Sequence, residues 1–119
     1  MNTYKIGTSD TRPWGTWEVI AIGDHYAVKR IVVNAGGILS LQRHAHRSEI
    51  WTIVEGSARV TIGEKIKVVP QNKTIEIPVG TWHRIENPGA TPLTFIEIQY
   101  GDNLDEADIE RKSDKYGRV

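Results

Sequence analysis

"EIWTIVEGSARVTIGEKIKVVPQNKTIEIPVG", residues 49–80, contains four short runs rich in β-branched side chains. Turn residues separate them: Gly56-Ser57, Gly63-Glu64, then Pro70-Gln71-Asn72. Runs of this length and period, punctuated this closely, are strands of a sandwich or barrel. The first two breaks are short enough for hairpins. Working outward, "WGTWEVIAI" meets Gly23-Asp24, "HYAVKRIVV" meets "NAGG", and "ILSLQRHAH" follows; downstream lie "WHRIEN", the turn Pro88-Gly89 and "LTFIEIQY". Roughly nine or ten strands follow from pattern alone, with almost no helical periodicity. A closed or double-sheet all-β fold buries one face of every strand and leaves few open edges. The tail, "NLDEADIERKSDKYGRV", is charged. Asp105 is an N-cap candidate for a short helix ending near Lys112, a solvated cap on the barrel.

With 119 residues and no repeat or linker, one domain covering 1–119 is expected. Lysine plus arginine number 15, as do aspartate plus glutamate. No broad field draws such a chain to nucleic acid or an anionic membrane, so an anionic partner must be small and locally held. Cysteine is absent, which removes disulfides, thiolate metal sites and thiol nucleophiles, and fits a reducing cytoplasm. No signal-peptide core or apolar run of about 20 residues is present, so a soluble intracellular protein is expected.

The densest chemistry lies in "LQRHAHRSEIW", residues 41–51. On a strand, Gln42, His44 and His46 share one face while Arg43 and Arg47 take the other. Glu49 is an odd number of positions from His44, and joins that face only if a turn or bulge intervenes, for which Arg47-Ser48 leaves room. His83 starts a later strand. Imidazole and carboxylate arriving from two strands suit zinc, iron, manganese or nickel better than calcium.

Residues 36–56 resemble the first cupin motif: a glycine, five residues, His-x-His, a glutamate and a closing glycine. Gln42 stands in the first histidine's place, His44 in the second, followed by Glu49 and Gly56. "PVGTWHRIEN" resembles the second motif through Pro78, Gly80, His83 and Asn87. The resemblance implies a double-stranded β-helix, a small jelly-roll barrel, with Gln42, His44, Glu49 and His83 as metal ligands. In that register His46 is a runner-up ligand or a substrate-side histidine. "RPWGTWEVI", "YAVKRIVV", "LSLQRHAHRSEIWTIVEGSARVTIG", "IPVGTWHRIENPG", "PLTFIEIQYG" and "DIERKSDKYGR" together are similar to the cupin domain of type II mannose-6-phosphate isomerases. That domain commonly follows a mannose-1-phosphate guanylyltransferase domain, and no glycine-rich phosphate loop accompanies it here. Ile50 departs from the family, which usually has histidine there; a change in the pocket wall is expected.

The resemblance implies a stand-alone enzyme that interconverts mannose 6-phosphate and fructose 6-phosphate through an enediol. It implies one divalent metal, zinc first and manganese, cobalt, nickel or iron next, and a homodimer joined through apolar outer sheet faces. A metal with an open position would polarise the sugar carbonyl. The proton shuttle falls to another group: Glu97, which shares a face with Gln99 in "FIEIQ", is the candidate base. Lys29 or Arg30, of which one faces inward, would offset charge on the reacting oxygens. Arg84 and Arg43 are phosphate candidates, since guanidinium binds two oxygens at once. Trp51 is the tryptophan placed to meet a sugar; Trp14, Trp17 and Trp82 read as core, and His25 as a loop residue. Two alternatives stand beside the isomerase: a non-haem iron oxygenase using His44, Glu49 and His83, and a non-catalytic sugar-phosphate-binding cupin.

Overall fold

The computed structural model describes residues 1–118. Eleven strands make two antiparallel sheets. The larger carries β1 (Ser9–Arg12), β2 (Gly15–Ile22), β3 (Tyr26–Val33), β10 (Leu93–Tyr100), β5 (Ser48–Glu55) and β8 (Thr74–Ile77), in the order β1-β2-β3-β10-β5-β8. The smaller is ordered β11-β4-β9-β6-β7, from β4 (Leu41–Arg43), β6 (Ala58–Ile62), β7 (Lys65–Val69), β9 (His83–Glu86) and β11 (Glu110–Ser113). The order is not sequential. β10 lies between β3 and β5, so residues far apart in the chain become neighbours across the middle of the larger sheet.

Alternation explains the core. On β3, Ala27, Ile31 and Val33 point inward; on β10, Leu93 and Phe95; on β5, Trp51 and Ile53; β6 and β9 add Val60 and Ile85. The β6–β7 hairpin turns at Gly63, whose φ of 58° falls where side chains with a Cβ are strained. No helix forms among the described residues. The expected helix from Asp105 to Lys112 is therefore corrected. Asp105 does cap, but it caps a turn: its carboxylate accepts from the Ala107 N–H at 2.9 Å, and the chain then leaves as β11 against β4. Pairing of the tail with an open sheet edge satisfies more of its backbone than an isolated two-turn helix would.

The expected long strand 38–46 also breaks early. Only Leu41–Arg43 is strand, and Ala45-His46 form a bend before β5 begins. The bend changes which side chains face the barrel: His46 points to solvent and Arg47 becomes buried.

Candidate metal centre

β4 and β9 lie side by side, with Gln42 opposite His83. The bend after β4 brings His44 over the barrel, and β5 supplies Glu49. Donor atoms of His44, Glu49 and His83 all lie within 4.8 Å of one another, and all three residues are buried. His44 Nε2 is 3.2 Å from Glu49 Oε2, and His83 Nε2 is 3.9 Å from Glu49 Oε1.

Hydrogen bonds fix both tautomers. His44 Nδ1 sits 2.7 Å from the Asp108 carbonyl and His83 Nδ1 2.9 Å from the Thr81 carbonyl. A carbonyl oxygen only accepts, so each Nδ1 carries the proton and each Nε2 presents a bare lone pair toward Glu49. Burial, then the nearby charge of Arg47, holds His44 neutral, its pKa down to about 3. His83 Nε2 is buried with no hydrogen-bond partner. Such an orphaned acceptor is costly unless something occupies its lone pair. A divalent cation fits these donors, which are two imidazole nitrogens and a carboxylate. Gln42 is half-buried, lines the same cavity and can add an amide oxygen.

Glu49 is held by both of its oxygens. Arg47 Nε donates to Oε2 at 2.8 Å, and the Trp51 indole N–H donates to Oε1 at 2.9 Å. Burial works to raise its pKa, but the guanidinium of Arg47 outweighs it and the carboxyl is held below its ordinary value. The same indole N–H lies 3.1 Å from Glu97 Oε1, and Gln99 Nε2 donates to Glu97 Oε2 at 2.8 Å. Burial, reinforced by the charge of Glu49, raises the Glu97 carboxyl above its ordinary value. Two carboxylates around one indole thus have opposite tendencies, set by which of them meets Arg47 directly.

Lys29, 4% exposed, faces the cavity. Its ammonium pairs with Glu106 of the tail and lies over the Tyr4 and Trp17 rings, 4.7 and 4.1 Å from their centroids. Arg12, Arg111 and Arg118 also line the cavity. Arg12 pairs with Asp10 at 3.0 Å and Arg118 with Asp114 at 2.9 Å. Among the described residues Arg111 has no ion pair, and its Nε is buried without a partner.

Glu97, Lys29 and Trp51 therefore join Gln42, His44 and Glu49 around one cavity, with His83 Nε2 behind them, 3.9 Å from Glu49 Oε1. Four other expectations are corrected. Arg43 is exposed, forks onto Glu110 and stacks over Trp82 at 4.6 Å. Arg84 donates to the Leu39 carbonyl and to Ser113, bracing strands rather than meeting the cavity. His46 is exposed, for the bend turns it outward. Ile50, 39% exposed, lies on the outer sheet face and forms no part of the pocket wall. Arg30 likewise points out, to Glu18.

The reading of residue types overlooked Arg47, which strict alternation sent outward, and the tail arginines, which the expected helix left in solvent. The only trace of Arg47's role in the chain is its place between two histidines and a glutamate, next to a break in alternation.

A family model described as mannose-6-phosphate isomerase C-terminal matches residues 1–114. The chain is 50% identical over 116 residues to a protein named mannose-1-phosphate guanylyltransferase from Escherichia coli K12, covering 98% of this chain and 24% of that protein. It is 49% identical over 108 residues to the xanthan biosynthesis protein XanB of Xanthomonas campestris pv. campestris, covering 91% and 23%. The chain thus spans about a quarter of the length of these relatives. A solved cupin-2 domain from Rhodospirillum rubrum superimposes with a TM-score of 0.71 at 22% identity, over 83% of this chain and 66% of that one. The fold is a cupin barrel.

These findings correct the expected activity. Relatives at half identity are named mannose-1-phosphate guanylyltransferase, not isomerase. The assignment as an enzyme interconverting mannose 6-phosphate and fructose 6-phosphate is overturned.

Proposed function

Because the chain belongs to the family described as mannose-6-phosphate isomerase C-terminal, and its relatives carry this unit within mannose-1-phosphate guanylyltransferases, we propose that it is a metal-binding cupin unit that recognises a mannose phosphate for guanylyl transfer. The observation that carries this reading is Arg111, without an ion pair and with a buried, partnerless Nε among the described residues, in the cavity that Gln42, His44 and Glu49 also line. Desolvation, and then the charge of Arg118, lower its pKa against the opposing pull of Asp114 and Glu106.

The division of labour follows from size. The cavity holds about 70 Å³, room for a cation with a few waters, so a hexose phosphate lies across its mouth. Gln42, His44, Glu49 and His83 hold the metal, zinc first and manganese, cobalt, nickel or iron next. When bound, a divalent ion supplies a Lewis-acid contact that orients neighbouring sugar hydroxyls. Arg111, with Arg12 and Arg118 beside it, receives the phosphate, as guanidinium groups do in pairs of parallel hydrogen bonds. Lys29, fixed over two rings, supports the sugar's oxygens. The absence of cysteine fits work in a reducing cytoplasm.

A second copy of the chain is the proposed cover for the larger sheet's outer face. There Ile98 is flanked by Val28 and Ile50 on the neighbouring strands, with Tyr26 and Tyr100 one row along. Binding of mannose 1-phosphate, mannose 6-phosphate and inorganic phosphate, measured by calorimetry with and without zinc, tests the main reading. Tighter binding of a mannose phosphate than of inorganic phosphate, weakened in Arg111→Gln, is expected. Equal binding of all three, or none, overturns it.

A further inference from the structure

Among the described residues, Arg47 is the one cation within hydrogen-bond distance of the cluster, at Glu49 and His44. Its guanidinium is 5% exposed and touches four groups: Glu49 Oε2 through Nε at 2.8 Å, His44 Nε2 through Nη2 at 3.3 Å, and the Tyr4 hydroxyl and the Asp105 carbonyl through Nη1 at 3.3 and 3.4 Å. The contact with His44 is the informative one. An imidazole whose Nδ1 carries the proton has a single lone pair on Nε2, and that lone pair can take a guanidinium N–H or a metal, not both. Glu49 is less exclusive, since each carboxylate oxygen has a second lone pair.

We propose that Arg47 is a resident cation that competes with the metal: its guanidinium occupies His44 and Glu49 in the metal-free protein and gives up His44 when a metal binds. Tyr4 and Asp105 retain Nη1 through that change, so only the Nη2 contact is exchanged. The arrangement keeps a buried carboxylate and a buried imidazole satisfied without metal, avoiding the large penalty of leaving them bare. It also sets the affinity of the site. A metal binds only the fraction of molecules in which Nη2 has left His44, and that fraction weakens the apparent affinity in proportion. With an open arrangement populated at about 1–10%, removal of the guanidinium tightens metal binding by about tenfold to a hundredfold.

This inference rests on the metal reading above, and the test separates the two. Zinc and manganese(II) are titrated against the stripped chain in competition with a chromophoric chelator, for wild type and Arg47→Ala, with the fold followed by circular dichroism. Tighter binding by Arg47→Ala is expected, together with a lower melting temperature of its metal-free form. Millimolar guanidinium ion should then weaken metal binding to Arg47→Ala and leave wild type unchanged, because it refills the vacated place. A folded Arg47→Ala that binds metal as wild type does, or more weakly, overturns the proposal and leaves Arg47 as a prop for Glu49. If Arg47→Ala does not fold, Arg47→Lys decides. An ammonium cannot span Glu49 and His44 together, so it too must bind metal more tightly, and failure to do so is equally fatal. Wild type that binds neither ion defeats the metal reading itself.

Discussion

The two ends of the larger sheet are built from the same strands with opposite polarity. At one end β3, β10 and β5 send Val33, Leu93, Phe95 and Ile53 inward, and Val32, Thr94 and Thr52 outward. A few residues along, the same strands send Lys29, Glu97, Gln99 and Glu49 inward and present Val28, Ile98, Tyr100 and Ile50 on the outer face. Alternation persists from end to end, and only its chemistry inverts. A strand's period decides which residues share a face; it does not decide which face must be oily. One end is held by packing, and the other by hydrogen bonds and charges that are affordable only while each has a partner.

The sharpest way to break that comparison is to remove a side chain from the packed end. Phe95 is fully buried and its ring centroid lies 5.3 Å from that of Trp51. Phe95→Ala should lose about 3–5 kcal/mol of unfolding free energy in denaturant melts. A loss below about 1 kcal/mol would show that the end called packed is as plastic as the polar one.

Next in size is the metal itself. A ligand that binds only the folded chain adds about 2.7 kcal/mol at a hundredfold excess over its dissociation constant. Zinc should therefore raise the melting temperature of wild type. His83→Ala, which removes the orphaned Nε2, and Glu49→Gln, which removes the charge, should abolish that shift, while Phe95→Ala keeps it. A shift that survives in His83→Ala places the metal elsewhere.

A smaller effect concerns Glu97, where the comparison is sharpened by pH. Its carboxyl is raised above the ordinary 4.5 by burial and by Glu49. Between 4.5 and that raised value the folded chain holds a proton that the unfolded chain has released, so unfolding free energy falls as pH rises. The stabilisation is complete below 4.5 and lost as pH climbs through the folded value. Glu97→Gln carries no such proton. In stripped protein its stability relative to wild type should be flat below pH 4.5 and increase above it. A difference independent of pH would mean that Glu97 titrates alike in the folded and unfolded chains.

How far these features were legible differs between residues for physical reasons. Alternation in "LTFIEIQY" was enough to put Glu97 with Gln99 on one face but not to say which face lies inward; in the fold Glu97 and Gln99 are buried and Ile98 is exposed. The resemblance to the two cupin motifs implied Gln42, His44, Glu49 and His83 as one ligand set; the donor atoms of His44, Glu49 and His83 lie within 4.8 Å of one another, and Gln42 stands opposite His83. Arg47 and His46 were exchanged because a two-residue bend cancels alternation, and a bend at Ala45-His46 has no glycine or proline to announce it. Its support comes from the tail: the Asp108 carboxylate accepts from the N–H groups of Ala45 and His46 at 2.9 and 3.0 Å. A contact between residues more than sixty positions apart leaves no local signal. The same is true of the tail, whose charges fit a helix as well as they fit an edge strand. Only pairing with β4 decides between them, and with it the approach of Arg111 and Arg118 to the cavity.

The smallest expected effect lies on the outer face, and it asks whether the inverted end is inside-out in water or only in one copy. Ile98 is 37% exposed, flanked by Val28 and Ile50. Threonine keeps the β-branch and loses little that the single chain buries, so Ile98→Thr should change unfolding free energy by no more than about 0.5 kcal/mol in dilute solution. Glutamate at the same position should leave the single chain equally stable. If a second copy covers this face, though, the charge is forced against its own symmetry mate or an apolar row, and sedimentation should pass from dimer to monomer. Wild type that sediments as a monomer would leave the apolar rows without a cover. The polar interior would then have been obtained at the cost of an oily exterior with nothing to shield it. A dimer that persists in Ile98→Glu would move the interface to another surface, with Ile66 and Val68 of the edge strand β7, 67% and 71% exposed, as the next place to substitute.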